Sequence, residues 1–459
     1  MSYDISMKKL IILFFALIFN QCVFALDVVY PKKNCVTINS PTTFFVGSSK
    51  ESLNINGKNV ELHNTGAFAH FVELPYGENI FEIKTKDESL TYVITRPYYK
   101  SKSYAKPQFV EIDDSVGVVN TDKTPLRSTP VNAGINRIVH LQKGVKLKID
   151  GELSSFYRVV LSEGEKAWVS KTNVNLVKDK KDVSANLLSY DFTEDAEFFN
   201  FVFHLDDKVP YEIIADDIFK FKIFNINNSV GNVYEFEFPY QNRVGSSQVF
   251  GYYAEYCGND LVFRIKKYPK INKKHPLKNI TITIDPGHGG KEFGAISCLR
   301  NNEKDVVLYI SKYLYDELKS RGANVFMTRC SDENVSLDER VNIANRNNSM
   351  IFLSIHSNAV PDTMDPNKHR GISIFYYNNE AKSLGASILT SMVDSLELPN
   401  DKLRQQSFAV IRNTQVLSLL LEIGYMINPY DNEIIINADF QKRCAKAIAD
   451  GIQNFLKGE

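Results

Sequence analysis

Four residues in the last third of the chain carry side chains able to hold a metal ion or move a proton. Each stands where a strand or helix should begin or end. His288 lies in Ile284-Asp285-Pro286-Gly287-His288-Gly289-Gly290, directly after a short apolar strand. The glycines let the backbone turn sharply and leave the imidazole unshielded at the sheet edge, where open α/β sheets place their ligands. Read alone, this loop serves equally well to cradle a phosphate. Glu303 follows Asn302, a candidate N-cap, and shares a helix face with Val307 and Ile310. A carboxylate turned toward protein is costly unless paired or metal-bound, although the helix N-terminus alone would favour it by up to about 1 kcal/mol. His356 ends the apolar run Ile351–Ile355 in Ser354-Ile355-His356-Ser357-Asn358-Ala359, a position more often held by a hydrogen-bonded core histidine.

What separates these residues from their bland readings is coincidence, since all three fall at element ends that meet one face. Two histidines and one carboxylate form the ligand set of catalytic zinc, with a fourth position left to water. Glu422 completes the group at the end of Val416-Leu417-Ser418-Leu419-Leu420-Leu421. A carboxylate ending a buried strand should have a raised pKa, as suits a general base; a structural salt bridge is the alternative.

The stretches around these residues resemble the zinc N-acetylmuramoyl-L-alanine amidases of the amidase-3 type. The resemblance runs in order through Asp285–Gly290, Glu303-Lys304, Thr328-Arg329, Leu337–Asn345, Ser354–Ala359 and Leu420–Pro429, from about Ile280 to Lys457. It implies that His288, Glu303 and His356 bind Zn²⁺ and that Glu422 is the catalytic acid/base. Arg412, in Val410-Ile411-Arg412-Asn413, stands where the family has an arginine near the site, a place a surface ion pair would explain equally. The bond implied is the amide joining the lactyl group of N-acetylmuramic acid to L-alanine, with peptidoglycan as substrate. The ligands by themselves would serve a zinc peptidase or deacetylase as well. A non-catalytic wall-binding or activator protein would be signalled by a lost ligand or base, and all four are present. Division-associated members insert a long helix after the second histidine that plugs the zinc. Here only Val360 to Arg370 intervene, broken by Pro361 and Pro366. The segment from about Asn279 to Glu459 is therefore expected to act unaided, with His369 exposed to solvent.

The elements that must position these residues alternate strand and helix. Helical spacing over Glu303–Ser320 and Glu380–Leu396, with a last helix from a cap at Asp439 through Phe455, separates strands at Thr281–Ile284, Asn324–Thr328, Met350–Ile355, Ile372–Tyr377, Phe408–Ile411 and Val416–Leu421. Residues 280–459 are thus expected to form an α/β domain, a mixed sheet flanked by helices.

Upstream the pattern is all-β. Residues 26–99 show short apolar strands around the hairpin signal Asn56-Gly57 and resemble Ig-like β-sandwich modules of secreted bacterial proteins. Residues 108–178, with Pro125-Leu126-Arg127-Ser128-Thr129-Pro130 and Ala167-Trp168-Val169, resemble a bacterial SH3 domain, and Trp168 is expected to anchor its core. Residues 184–266 form a β-rich unit with no motif. Lys100–Lys106 and Lys178–Asp182 read as linkers. The lysines from Lys266 to Lys278, among Pro269 and Pro276, read as a solvated basic linker at 267–279.

A chain of 459 residues is too long for one core and suggests about three domains. Its formal net charge of +0 removes any global electrostatic case for nucleic acid or an anionic membrane. Lys8-Lys9, the apolar run Leu10–Phe19 and Val23-Phe24-Ala25 read as a signal peptide over residues 1–25. The run is too short for a comfortable membrane span, so the mature chain is expected in the periplasm, wall or medium. Cys22 offers a second, lipoprotein reading. Cys35, Cys257, Cys298, Cys330 and Cys444 are odd in number and lack knuckle spacing, so isolated thiols are expected rather than a disulfide framework.

Overall fold

The computed structural model describes residues 26–98, 106–177, 183–215, 218–244, 246 and 248–458. The signal peptide, Cys22 and most of both short linkers lie outside these residues. Among them, no helix is long and apolar enough to cross a membrane.

The C-terminal domain is a six-stranded sheet. Its order is Asn324–Met327, Thr281–Pro286, Ile351–Asn358, Leu417–Tyr425, Ile372–Tyr376 and Asn400–Gln405. The first four strands are parallel, and Ile372–Tyr376 runs antiparallel to Leu417–Tyr425, so the sheet is mixed. Period-2 alternation sorts each strand between two faces. Ile282, Ile284, Leu353 and Ile355 face Val307, Ile310, Leu314 and the helices Lys382–Ser395 and Ala438–Lys457. On the other face Phe352 and Leu420 meet Ala344 of the helix Leu337–Arg346.

The helix Glu303–Ser320 has the expected bounds. The last helix is capped by Asn437 instead of Asp439: the Asn437 side chain accepts the N–H groups of Asp439 and Phe440. Phe408–Ile411 is not a strand. Ala409–Ile411 forms a 3₁₀ turn whose Val410 and Ile411 plug the second face of the sheet. A four-residue apolar run carries too little periodicity to tell these apart.

The N-terminal unit is a β-sandwich. Three strands, Leu26–Tyr30, Thr42–Ser49 and Ala67–Glu73, pack on a five-stranded sheet through Phe45, Phe68, Ile55, Ile83 and Ile94. Asn56 and Gly57 both take positive φ, 49° and 76°, and close the hairpin Leu53–Ile55/Lys58–Val60. Residues from Val110 to Val177 build a seven-stranded sheet, and the third unit holds a four-stranded and a three-stranded sheet. The second and third units share one continuous apolar cluster, from Val119 and Leu147 to Phe201 and Phe263.

Two expectations need correction here. Trp168 is not in the core: it stands on the outer face of its strand, edge-on to Phe109, while Ala167 and Val169 on either side face inward. Lys266 is not solvated. It is buried and its Nζ donates to the Ser349 carbonyl at 2.6 Å, tying the third unit to the catalytic sheet. The five cysteines after residue 25 are all free.

The N-terminal sandwich rests on the catalytic domain. Phe44, Val46, Ala67 and Ala69 pack against Cys298 and Ile427. Arg300 makes a two-pronged contact with Asp27, at 2.5 and 2.6 Å. Within Val360–Arg370, the Asp362 carboxylate accepts from the Tyr30 hydroxyl at 2.8 Å and the Thr43 hydroxyl at 2.7 Å. That segment holds only the short 3₁₀ turn Pro366–Lys368, and no long helix. It is nonetheless gripped by another part of the chain, and His369 is half-buried, its ring 6.2 Å from that of Tyr425.

Candidate active site

His288, Glu303 and His356 converge at the C-terminal ends of the parallel strands. Their ligand atoms all lie within 4.8 Å of one another. The Glu303 carboxylate is the hub: Oε2 lies 3.1 Å from His288 Nε2 and Oε1 lies 2.9 Å from His356 Nδ1. Its oxygens also accept the backbone N–H groups of Ala295 at 2.8 Å and Ser357 at 3.0 Å. Burial alone would raise this carboxyl, but hydrogen bonds from the two histidines hold it well below the usual carboxylate range. A carboxylate between two imidazoles is a donor set that could hold a cation.

Backbone geometry makes room for this cluster. His288 itself takes a left-handed φ of 59°, a strained conformation for a non-glycine residue that recurs at functional sites. A Cβ on Gly287 would sit 2.3 Å from the His356 ring. One on Gly294 would sit 2.5 Å from Glu303 Oε2, where φ is also positive at 68°. Gly294 was not singled out by the sequence reading, since an isolated glycine in a loop carries no signal of what approaches it.

Two buried arginines hold the His288 loop by its carbonyls. Arg329 donates to Pro286 O at 3.0 Å, Gly287 O at 2.8 Å and Lys304 O at 2.8 Å. Arg340 donates to Pro286 O and His288 O, each at 2.7 Å, and to Asp285 Oδ1 at 2.6 Å. Asp285 is 1% exposed and takes further hydrogen bonds from Thr328 Oγ1 and Ser354 Oγ. These residues lie inside the quoted motifs, yet sequence alone assigned them no role.

Glu422 is paired across the sheet with His356. Its Oε2 is enclosed and has no hydrogen-bond partner. Burial, and then the neighbouring Glu303 carboxylate, raise its pKa well above the ordinary value. Among the described residues no salt bridge accounts for it. Arg412 is not brought to this cluster. It precedes the N-terminal end of the strand Leu417–Tyr425, and its guanidinium donates to Ser407 O at 3.1 Å and Ser407 Oγ at 3.2 Å.

A mixed α/β sheet with a His–Glu–His cluster at its strand ends and an enclosed carboxylate oxygen beside it is an arrangement that could serve a hydrolase. The comparison with known proteins makes this specific. Residues 282–454 match the family model of the N-acetylmuramoyl-L-alanine amidases, and the C-terminal region of the chain is a domain of that family. Over 184 residues the chain is 35% identical to the probable cell wall amidase LytH of Staphylococcus epidermidis, a match covering 40% of this chain and 60% of that protein. The chain thus spans about 60% of the length of the curated relatives it matches. Among solved structures it is similar to the N-acetylmuramoyl-L-alanine amidase AmiC2 of Nostoc punctiforme, at 33% identity over 41% of this chain and 99% of that one, with a TM-score of 0.37. The CwlD amidase of Clostridioides difficile, solved in complex with the GerS lipoprotein, matches at 26% identity over 39% of this chain and 100% of that one, with a TM-score of 0.37.

Proposed function

We propose that the protein is a zinc-dependent N-acetylmuramoyl-L-alanine amidase that hydrolyses the amide between the lactyl group of N-acetylmuramic acid and L-alanine in peptidoglycan. The observation that carries this reading is the convergence of His288, Glu303 and His356 beside the partnerless oxygen of Glu422. The donor set fits Zn²⁺: two imidazole nitrogens and one carboxylate oxygen, with nothing else from the chain needed to complete it. The chemistry such an ion supplies when bound is Lewis-acid polarisation of the scissile carbonyl and acidification of water.

The chain's own residues do the rest. His288, Glu303 and His356 would hold the ion, and the backbone amides of Ala295 and Ser357 fix the Glu303 carboxylate in place. Arg329 and Arg340 keep the His288 loop from relaxing away. Glu422 accepts the proton of the attacking water on its free oxygen and returns it to the nitrogen of the departing L-alanine. A base enclosed near the reacting atoms, with a raised pKa, suits both halves of that task. Residues 1–25 would export the chain to its substrate. The N-terminal sandwich, read as Ig-like, and the second unit, read as SH3-like, would place the enzyme on the wall.

Glu422→Gln tests the assignment. The amide keeps the shape and removes the base, so the variant should retain zinc while muropeptide hydrolysis falls at least ~100-fold. Near-normal turnover in the zinc-loaded variant would remove Glu422 from the mechanism. Wild-type digestion should expose new L-alanine amino groups; new amines elsewhere in the stem, or released acetate, would instead mark a peptidase or deacetylase.

A further inference from the structure

A cavity of about 650 Å³ opens where the second β-unit, the third β-unit and the catalytic domain meet. Arg137 and His140 line it from the strand Arg137–Leu141, and Tyr377 and Arg412 line it from the catalytic domain. Arg127 stands just behind, 4% exposed. Its guanidinium donates to Ala133 O, to Asn136 Oδ1 at 2.9 Å and to Asn132 Oδ1 at 2.8 Å. This pins the loop that follows Arg127 against the catalytic domain, where Gly134 O accepts the Tyr377 hydroxyl at 3.4 Å. A Cβ on Gly134 would meet Ser407 Cβ at 2.2 Å, so the two surfaces touch here.

Every hydrogen bond found for these three arginines goes to a neutral group. Among the described residues Arg412 donates only to Ser407, and Arg137 Nη1 lies 2.9 Å from His140 Nε2. Arg137 Nε is buried and has no hydrogen-bond partner among the described residues. Burial and the field of Arg137 lower the pKa of both Arg127 and Arg412. His140 is pushed down to about 4 by burial and then by Arg137, Arg412, Arg127 and Lys123. Three acids also line the cavity: Asp338 pairs with Lys123 at 2.8 Å, Asp122 accepts the Lys143 backbone N–H at 2.8 Å, and Glu255 is exposed. Among the described residues none of the three forms an ion pair with Arg127, Arg137 or Arg412.

Like charges gathered in a partly enclosed cavity are unfavourable until an anion joins them, and the guanidinium fork suits planar carboxylates and phosphates. We propose that this cavity is an oxyanion-binding site that takes a carboxylate or phosphate group between Arg137 and Arg412. Arg127 fixes the loop and contributes field, and neutral His140 orients Arg137 without adding charge. The site is separate from the His–Glu–His cluster. Glu422 lies five residues beyond Leu417, where its strand begins, roughly 16 Å along the sheet. Only the origin of the anion, a wall polymer carrying stem-peptide carboxylates or phosphodiesters, rests on the amidase reading; the binding chemistry does not.

The test uses the full, zinc-loaded chain titrated with inorganic phosphate and, separately, with acetate, at ionic strength held constant with sodium chloride. Calorimetric binding and thermal midpoint are both read. At least one oxyanion should bind and raise the midpoint. Arg137→Gln and Arg412→Gln should each weaken that binding about tenfold or more, and each should start from a midpoint equal to or above wild type, because repulsion has been relieved. Arg137→Lys, which keeps the charge and loses the fork, should fall between. Phosphate alone binding points to a phosphate-bearing polymer, and acetate alone to a peptide carboxylate. The proposal is overturned if neither anion binds beyond the chloride control. It is equally overturned if binding persists unchanged in the folded arginine variants, which would assign it to the zinc cluster.

Discussion

Arg340→Met removes one guanidinium from the floor of the His288 loop and leaves a side chain of similar reach. Arg340 is 3% exposed and its partner Asp285 is 1% exposed. After the substitution Asp285 retains the Thr328 and Ser354 hydroxyls but has lost its counter-charge. Breaking one side of a buried pair costs about 3–5 kcal/mol. The backbone loses donors too. Pro286 O keeps Arg329, whereas His288 O loses the Arg340 donor. With about 4 kcal/mol as the total, and an unfolding entropy near 2.1 cal/mol/K per residue over roughly 180 residues, the domain's melting midpoint should fall by about 10 °C. The single tryptophan, Trp168, sits in the second unit and would not report this. Scanning calorimetry, with hydrogen exchange read on peptides covering residues 282–290, does. Asp285→Leu combined with Arg340→Met should recover much of the midpoint, since an apolar pair can replace a buried ionic one. The loop amides should nevertheless stay poorly protected, because the carbonyl donor is still missing. A midpoint loss under about 3 °C in the single variant, near 1 kcal/mol, would refute the view that this pair supports the loop.

Other variants probe the remaining contacts. His288→Ala and His356→Ala should each lose zinc together with activity, because two protein ligands hold the ion poorly; stoichiometric tight zinc in either would mean the ligand set is wrong. Lys266, lowered by burial from 10.5 to about 8, must shed its proton on folding between those values, so the unfolded chain binds more protons there and stability rises with pH. Wild type should therefore gain about 3 kcal/mol relative to Lys266→Met between pH 8 and 10.5, and parallel stability curves in urea would contradict this. Asp362→Ala removes the acceptor of Tyr30 and Thr43. It should loosen the N-terminal sandwich by about 1–3 kcal/mol, seen as faster exchange in residues 360–370; unchanged exchange would show that the apolar contacts suffice alone.

Much of the catalytic domain was legible because its elements bury one face. The spacing of Val307, Ile310, Leu314 and Leu318 specified a helix whose bounds the structure reproduces. The strand Asn400–Gln405 was invisible, since its residues Asn-Asp-Lys-Leu-Arg-Gln lie at an edge and show no apolar alternation. The helix Pro429–Ile435 was likewise passed over, although Asn428 caps it and Pro429 opens it. The convergence of His288, Glu303, His356 and Glu422 was legible because polar residues interrupt apolar runs at element ends. Arg329 and Arg340 act by folding back on backbone carbonyls, and a carbonyl leaves no mark in a sequence. Trp168 misled because size was taken for depth, while the alternation with Ala167 and Val169 already assigned it to the outer face.

His356 and Glu422 occupy opposite positions on neighbouring parallel strands. The spacing between such positions is set by the hydrogen-bond ladder, about 4.8 Å, and not by any loop. The ladder is therefore a ruler built into the sheet, measuring the gap between the proposed ligand His356 and the proposed base Glu422. His288 hangs instead from a turn that two arginines must brace. Loops around the cluster can consequently be lengthened, shortened or exchanged without resetting that gap. Selection for new substrates is left free to work on the rim, while the one dimension the chemistry depends on is inherited with the fold.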